Sequence, residues 1–199
     1  MNFKNLTLSA FIVFISGCNS IPIPVLSQTP VPESVQKANA EEYDEKSQSR
    51  VRLVSAYSNF DKYDNTNCEQ WKKNKLKNYF HSIATGFPKT TNISVNMPPT
   101  EKSLWTLDTQ KKSGIPNIVY EEYIVEANQP IVLHARYLEP ASGKSCHVTG
   151  SFTPKVGQDY EVVYSMDRGS CGMQLKKITN NKMNTLFQTE NLNELKACR

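Results

Sequence analysis

Short runs of alternating apolar and polar residues dominate the chain beyond residue 88, and this period of two is typical of β-strands. In the run 131–138, for example, Ile131, Leu133, Ala135 and Tyr137 fall at every second position and therefore share one face. The runs that read as strands are 50–57, 93–97, 104–107, 118–127, 131–138, 146–152, 160–166 and 171–178.

One segment has helical periodicity instead. Its apolar residues are three or four positions apart and share one face: Leu76, Tyr79, Phe80 and Ile83. Thr66 and Glu69 have the spacing of a capping box at its start, and Gly86 is placed to end it. We predict one amphipathic helix here and a short second helix at 192–198.

Turn signals separate these elements at intervals typical of all-β domains. Residues 128–129 are placed to close a hairpin between two strong strands, residues 167–170 another, and 59–67 reads as a turn-rich connection. About seven short strands with such spacing predict a mainly β fold, an antiparallel β-sandwich that carries one helix.

The first residues follow a different pattern. Lys4 precedes an uncharged stretch from Asn5 to Gly17, most of it apolar, that ends in small residues, which is the pattern of a secretory signal. This stretch is shorter than the roughly 20 residues that a permanent transmembrane helix needs. An uncleaved signal anchor and an ordinary secretory signal that contains a cysteine remain as alternatives.

The end of this segment, Ile15-Ser16-Gly17-Cys18, resembles a bacterial lipobox, and all four positions match. The resemblance implies cleavage before Cys18, a thioether to diacylglycerol and further acylation of the new N-terminus. Because Asn19 is not aspartate, it also implies export to the outer membrane if the cell is Gram-negative.

The chain therefore divides into three parts. Residues 1–17 are predicted to be a lipoprotein signal peptide, 18–49 a lipidated N-terminus with a proline-containing, disordered tether, and 50–199 a folded domain. From Arg50 onward the pattern weakly resembles small uncharacterised β-rich envelope lipoproteins, and this resemblance implies no particular function.

Five cysteines are an odd number for a secreted chain. If Cys18 is lipidated, the other four can form two disulfides in an oxidising compartment, in three possible pairings. We favour Cys146 with Cys171 and Cys68 with Cys198, which would attach the start of the helix to the C-terminal segment.

The first of these bonds has a consequence for the fold. Cys146 and Cys171 both accompany the apolar face of their strands, but in a flat three-stranded meander they would be two strand spacings, about 9.6 Å, apart. A disulfide needs Cα atoms within about 7 Å. The pairing therefore predicts that the chain crosses between sheets from Phe152 to Tyr160.

Few residues have the pattern of an active site. Of the three histidines, His134 and His147 alternate away from the apolar positions and are predicted to face solvent, and none of the three, His81 included, has metal-ligand spacing. A bonded Cys171 is not a nucleophile. Glu121 and Glu122 should point to opposite faces of a strand, which excludes an acid–base pair. We predict no enzymatic activity, metal or cofactor.

Surface chemistry points to no specific partner. The net charge is +4 and falls to +3 when the segment with Lys4 is removed, without a block of five like charges, so nucleic acid is not implied. The lysines at 72, 73 and 77 are interpreted as a solvated face of the helix. The alternative is that they bind an anionic glycan or lipid. The tyrosines in strands read as core or half-buried residues, with a glycan or peptide platform as the alternative.

We predict a membrane-anchored lipoprotein of the cell envelope, at the membrane through acylated Cys18, whose outer domain is a binding or structural module with an envelope protein as partner. The alternative is a binder or inhibitor of an exogenous protein or glycan, such as a lysozyme.

Overall fold

The structure is a computed structural model that describes residues 43–56, 58–74, 76–78, 89–113, 118–138, 143–167, 170–179 and 187–199, together with the backbone of 35–37. The strands are β1 Val35–Lys37, β2 Gln48–Ala56, β3 Ser58–Tyr63, β4 Asn92–Ser94, β5 Ile118–Glu126, β6 Ile131–Leu138, β7 Ser145–Phe152, β8 Asp159–Asp167, β9 Ser170–Thr179, β10 Gln188–Leu192 and β11 Lys196–Ala197. Two helices have their bounds within the described residues, α1 Cys68–Lys73 and α2 Glu101–Ser113, and residues 76–78 are also helical.

These strands form two sheets. The larger sheet has seven strands in the order β1-β4-β5-β2-β8-β9-β10, and the smaller has four in the order β11-β7-β6-β3. Alternation places one face of each sheet in a shared core. Its buried residues are Val51, Leu53, Phe60, Val125, Ile131, Leu133, Ala135, Phe152, Tyr160, Val162, Tyr164 and Leu175. The predicted mainly β, two-sheet fold is confirmed.

The larger sheet is mixed rather than purely antiparallel. Strand β2 pairs antiparallel with β5 but parallel with β8, and β4 pairs parallel with both β1 and β5. Since strand periodicity carries no information on strand direction, the sequence pattern did not distinguish these arrangements.

Both predicted disulfides are present. Cys146 bonds Cys171 with their Cα atoms 6.1 Å apart, and Cys68 bonds Cys198 with Cα atoms 5.1 Å apart. Strand β7 lies in the smaller sheet and β8 in the larger, so the chain changes sheets after Phe152 as the distance argument required. The hairpin of β8 and β9 around residues 167–170 is also confirmed.

The hairpin predicted around residues 128–129 is wrong. Strands β5 and β6 are consecutive but belong to different sheets. The turn instead bonds to two distant segments, since Ala127 N donates to Ser47 O at 3.1 Å and Asn128 N donates to Pro154 O at 2.7 Å.

The strand predicted at 104–107 is also wrong, because these residues lie within α2. Thr100 precedes the helix and its Oγ1 accepts a hydrogen bond from Ser103 N at 3.1 Å, while Ser103 Oγ accepts one from Thr100 N at 2.9 Å. This reciprocal capping satisfies amides that the first turn leaves free.

Two further segments differ from prediction. Residues 58–63 form β3 rather than a turn, with Phe60 directed into the core. The predicted helix at 192–198 is instead the end of β10, a turn and β11, and the backbone N–H of Cys198 donates to Thr149 O at 2.9 Å.

Helix α1 begins one residue later than the capping-box prediction. Asn67 Oδ1 accepts from Gln70 N, and Gln70 Oε1 accepts from Asn67 N, both at 2.9 Å. The predicted apolar face is not confirmed at Leu76, which is 75% exposed. Tyr79, Phe80 and Ile83 lie outside the described residues.

The folded part extends N-terminal to the predicted boundary at residue 50. Strand β2 begins at Gln48, and residues 35–37 of the predicted tether pair with β4. The lipobox and Cys18 lie outside the described residues.

Candidate functional site

A row of polar side chains crosses the outer face of the four-stranded sheet. Asp61 of β3 is the register partner of His134 of β6, and His134 is the partner of Thr149 of β7. These positions alternate with the core residues Leu133 and Ala135, so they point away from the core. The row therefore places a carboxylate, an imidazole and a hydroxyl side by side.

His134 is half-buried rather than solvent-facing, so that prediction was wrong. Its Nδ1 lies 2.8 Å from Thr149 Oγ1, and its ring centroid lies 5.7 Å from that of Trp71 and 5.9 Å from that of His147. Burial lowers the pKa of His134, while the charge of Asp61 opposes this shift. The lowered pKa favours the neutral imidazole, whose Nδ1 hydrogen-bonds the Thr149 hydroxyl. His147 is exposed, as predicted.

Helix α1 brings Trp71 to this face because the start of the short helix is fixed in two ways. Cys68, its first residue, is bonded to Cys198, and the Asn67 capping box closes its N-terminus. Trp71 also interacts with Tyr63. Burial and the charge of Asp61 together raise the pKa of Tyr63 to about 12.

An open groove of about 560 Å³ lies between α1 and the end of the four-stranded sheet. This volume is in the range of small-molecule sites, about 300–1,000 Å³. The described residues that line it are Trp71, Lys72, His147, Val148, Thr149, Ala197, Cys198 and Arg199.

The groove combines an aromatic ring with positive charge. None of its described lining side chains is acidic, and the side chains of Lys72 and Arg199 are cationic. Lys72 Nζ is 3.6 Å from Glu69, a carboxylate that is 77% exposed, so this surface pair leaves the ammonium accessible to another anion. The groove can therefore bind an anionic ligand with a flat apolar face. Of the predicted lysine stripe, Lys72 lines this site.

A second polar cluster lies on the outer face of the seven-stranded sheet. Arg52 of β2 is flanked in register by Glu122 of β5 and Glu161 of β8, and all three are buried. Its Nη2 lies 2.7 Å from Glu122 Oε1, and its Nη1 lies 3.3 Å from Glu161 Oε2. Thr100 Oγ1 donates to Glu161 Oε2 at 2.5 Å.

This cluster fixes the segment that precedes α2. Arg52 Nη2 donates to Pro98 O at 2.8 Å, and Glu122 Oε2 accepts from Val95 N at 2.8 Å and Met97 N at 3.1 Å. These buried groups bond to one another and to the segment, and of the cluster's carboxylate oxygens Glu161 Oε1 is left without a hydrogen-bond partner among the described residues. The cluster therefore holds this segment against the sheet.

The neighbouring Glu121 faces the other way, as predicted. Its Oε1 lies 2.6 Å from Lys89 Nζ, and the two carboxylates share no partner among the described residues. Burial lowers the pKa of Lys89, but the hydrogen bond and charge of Glu121 outweigh burial, so the pKa is raised.

Sequence reasoning did not identify Trp71 or Thr149 as site residues. Alternation placed His134 and His147 on an outer face, but the proximity of Trp71 depends on the Cys68–Cys198 bond. Cys171 is disulfide-bonded, as expected, and His81 lies outside the described residues.

Among the described residues, no group of three or more His, Cys, Asp or Glu side chains is placed to hold a metal ion. No helix in this part of the chain is both long and apolar enough to cross a bilayer. No protein-family model, curated protein or solved structure matches the chain.

Proposed function

We propose that this chain is a lipid-anchored binding module of the bacterial cell envelope, held at the membrane by acylated Cys18. The observation that carries the proposal is the pairing of Cys68 with Cys198 and of Cys146 with Cys171. Of five cysteines, this leaves Cys18 alone, next to the lipobox-like residues 15–17.

Disulfides persist in oxidising compartments, and an exported protein with one unpaired thiol would be prone to intermolecular exchange. Acylation of Cys18 removes that thiol. Each buried methylene contributes about 0.8 kcal/mol, and two or three acyl chains together hold a protein firmly at a membrane. The outer membrane is the proposed location in a Gram-negative cell.

The folded domain supports a binding role. The disulfide-fixed helix α1 holds Trp71 and Lys72 at the groove, and a preformed site of this kind reduces the entropy lost on binding. The ligand is expected to come from the envelope or from the outside of the cell.

The decisive experiment compares Cys18→Ser with Ser20→Ala in full-length protein expressed in bacteria that process lipoproteins. Ser20→Ala changes a neighbouring polar residue and keeps residues 15–18 intact. Wild type and Ser20→Ala should incorporate an alkyne-tagged palmitate and sediment with membranes. Cys18→Ser should not be labelled and should be soluble or remain unprocessed.

Membrane retention and labelling of Cys18→Ser would refute the lipid anchor. A second readout is independent of fractionation: denatured, unreduced wild type should contain no reactive thiol, whereas one thiol per chain would show that Cys18 is unmodified.

A further inference from the structure

We propose that the groove beside Trp71 binds an anionic carbohydrate, with the sugar ring against the tryptophan and its carboxylate at Lys72. This inference deepens the proposed binding role, but it does not depend on the lipid anchor.

The groove has the two components that such a ligand needs. A sugar ring presents apolar C–H groups on its faces, and Trp71 and Val148 supply aromatic and aliphatic surface in the lining. A uronic or muramic carboxylate needs a cation, and Lys72 supplies one whose side chain is 35% exposed.

Hydroxyl groups of the ligand also have partners. Thr149 lines the groove with its Oγ1 2.8 Å from His134 Nδ1, and the exposed His147 lies beside them. These side chains can donate or accept, which suits a sugar hydroxyl that does both.

The strand backbone favours a carbohydrate over an acidic peptide. Strand β7 pairs with β6 on one side and with β11 on the other, and Thr149 O already accepts from Cys198 N. These bonds occupy the backbone of β7 at Thr149, Gly150 and Ser151, which leaves a shorter length of strand edge for a peptide to pair with. We therefore assign recognition to the side chains that line the groove.

The chain contains its own reporter. Its two tryptophans are Trp71, in the groove, and Trp105, which is 43% exposed on α2. In a Trp105→Phe background, the fluorescence of Trp71 reports on the groove alone.

The experiment titrates the purified mature Trp105→Phe protein with a galacturonic acid tetramer, a neutral maltotetraose and a tetraglutamate peptide. The galacturonate should change Trp71 fluorescence saturably, with weaker or no response to the other two. Lys72→Ala should weaken this binding by about tenfold, as expected for loss of one charged contact.

The matched control is Lys112→Ala. Lys112 is also a helical lysine paired with an acidic residue of its own helix, Asp108 at 2.8 Å, but it does not line the groove. Equal affinities of the Lys72→Ala and Lys112→Ala variants for galacturonate would overturn the proposal. So would preferential binding of tetraglutamate, or no binding of galacturonate at millimolar concentration.

The two proposals fail separately. A groove that binds no glycan leaves the labelling of Cys18 unchanged, and an unlabelled Cys18 leaves the titration unchanged.

Discussion

At the scale of single residues, the most unusual position is an arginine in the middle of a buried strand. Arg52 is 1% exposed and lies between two carboxylates that are equally buried. Burial of a charge is unfavourable unless it is paired and hydrogen-bonded. Here the register of β2 places Arg52 directly between Glu122 and Glu161. Its other N–H groups donate to Thr100 Oγ1 and Pro98 O.

Arg52→Met should therefore destabilise the domain strongly, because it leaves Glu122 and Glu161 buried without their counter-ion. We expect a loss of about 3–5 kcal/mol in the free energy of unfolding, measured in urea. Arg50→Met is the control. Arg50 lies two residues before Arg52 on the same face of β2 and pairs with Asp159, but its side chain is 16% exposed. It should lose about 1–2 kcal/mol.

Equal losses for the two variants would mean that the cluster has no special energetic role. An Arg52→Met variant as stable as wild type would show that the carboxylates are reorganised or protonated without cost.

At the scale of elements, the strand pattern predicted well wherever burial on one face was clear. Strands β7, β8 and β9 lie within one residue of their predicted bounds. Alternation together with the length of a disulfide was even sufficient to predict that the chain changes sheets between Phe152 and Tyr160.

The misassigned elements are those whose structure depends on distant contacts. Residues 104–107 form a short apolar run, which predicted a strand. The Thr100 cap and the buried cluster beneath it instead favour a helix. Strands β5 and β6 read as a hairpin because sequence proximity cannot reveal that Ala127 and Asn128 bond to other segments. The groove was missed for the same reason.

One contact between elements is close enough to test by adding a single methyl group. A Cβ at Gly150 of β7 would lie 2.9 Å from Leu195 Cδ1, and Leu195 packs against the core. Gly150→Ala should therefore displace the partly buried side chain of Leu195 and cost about 1 kcal/mol in the free energy of unfolding, the lower end of the range for overpacking.

Gly172→Ala in β9 is the matched control, since a Cβ there would meet nothing within 4 Å. It should change stability by no more than about 0.5 kcal/mol. Leu195→Ala should also cost less in the Gly150→Ala background than in wild type, because the two residues occupy the same space. Additive effects would indicate that Leu195 does not fill the space above Gly150.

At the scale of the whole molecule, the two disulfides have different tasks. Cys146–Cys171 joins β7 of the smaller sheet to β9 of the larger, whereas Cys68–Cys198 joins α1 to the C-terminal segment and so builds the groove. Their sequence separations are 25 and 130 residues. On the chain-entropy account, the longer loop should stabilise more, by about 5 against about 3.5 kcal/mol.

Replacing both cysteines of each pair by alanine separates stability from the geometry of the groove. Cys68→Ala with Cys198→Ala should have the larger loss of unfolding free energy in urea, and it should also weaken ligand binding because Trp71 and Lys72 are no longer held against β7. Cys146→Ala with Cys171→Ala should lower stability but leave the affinity of folded protein for galacturonate within about twofold of wild type, a change of less than about 0.5 kcal/mol. If this second variant lost binding while the first retained it, the ligand would have to bind near the Cys146–Cys171 end of the sandwich rather than at Trp71.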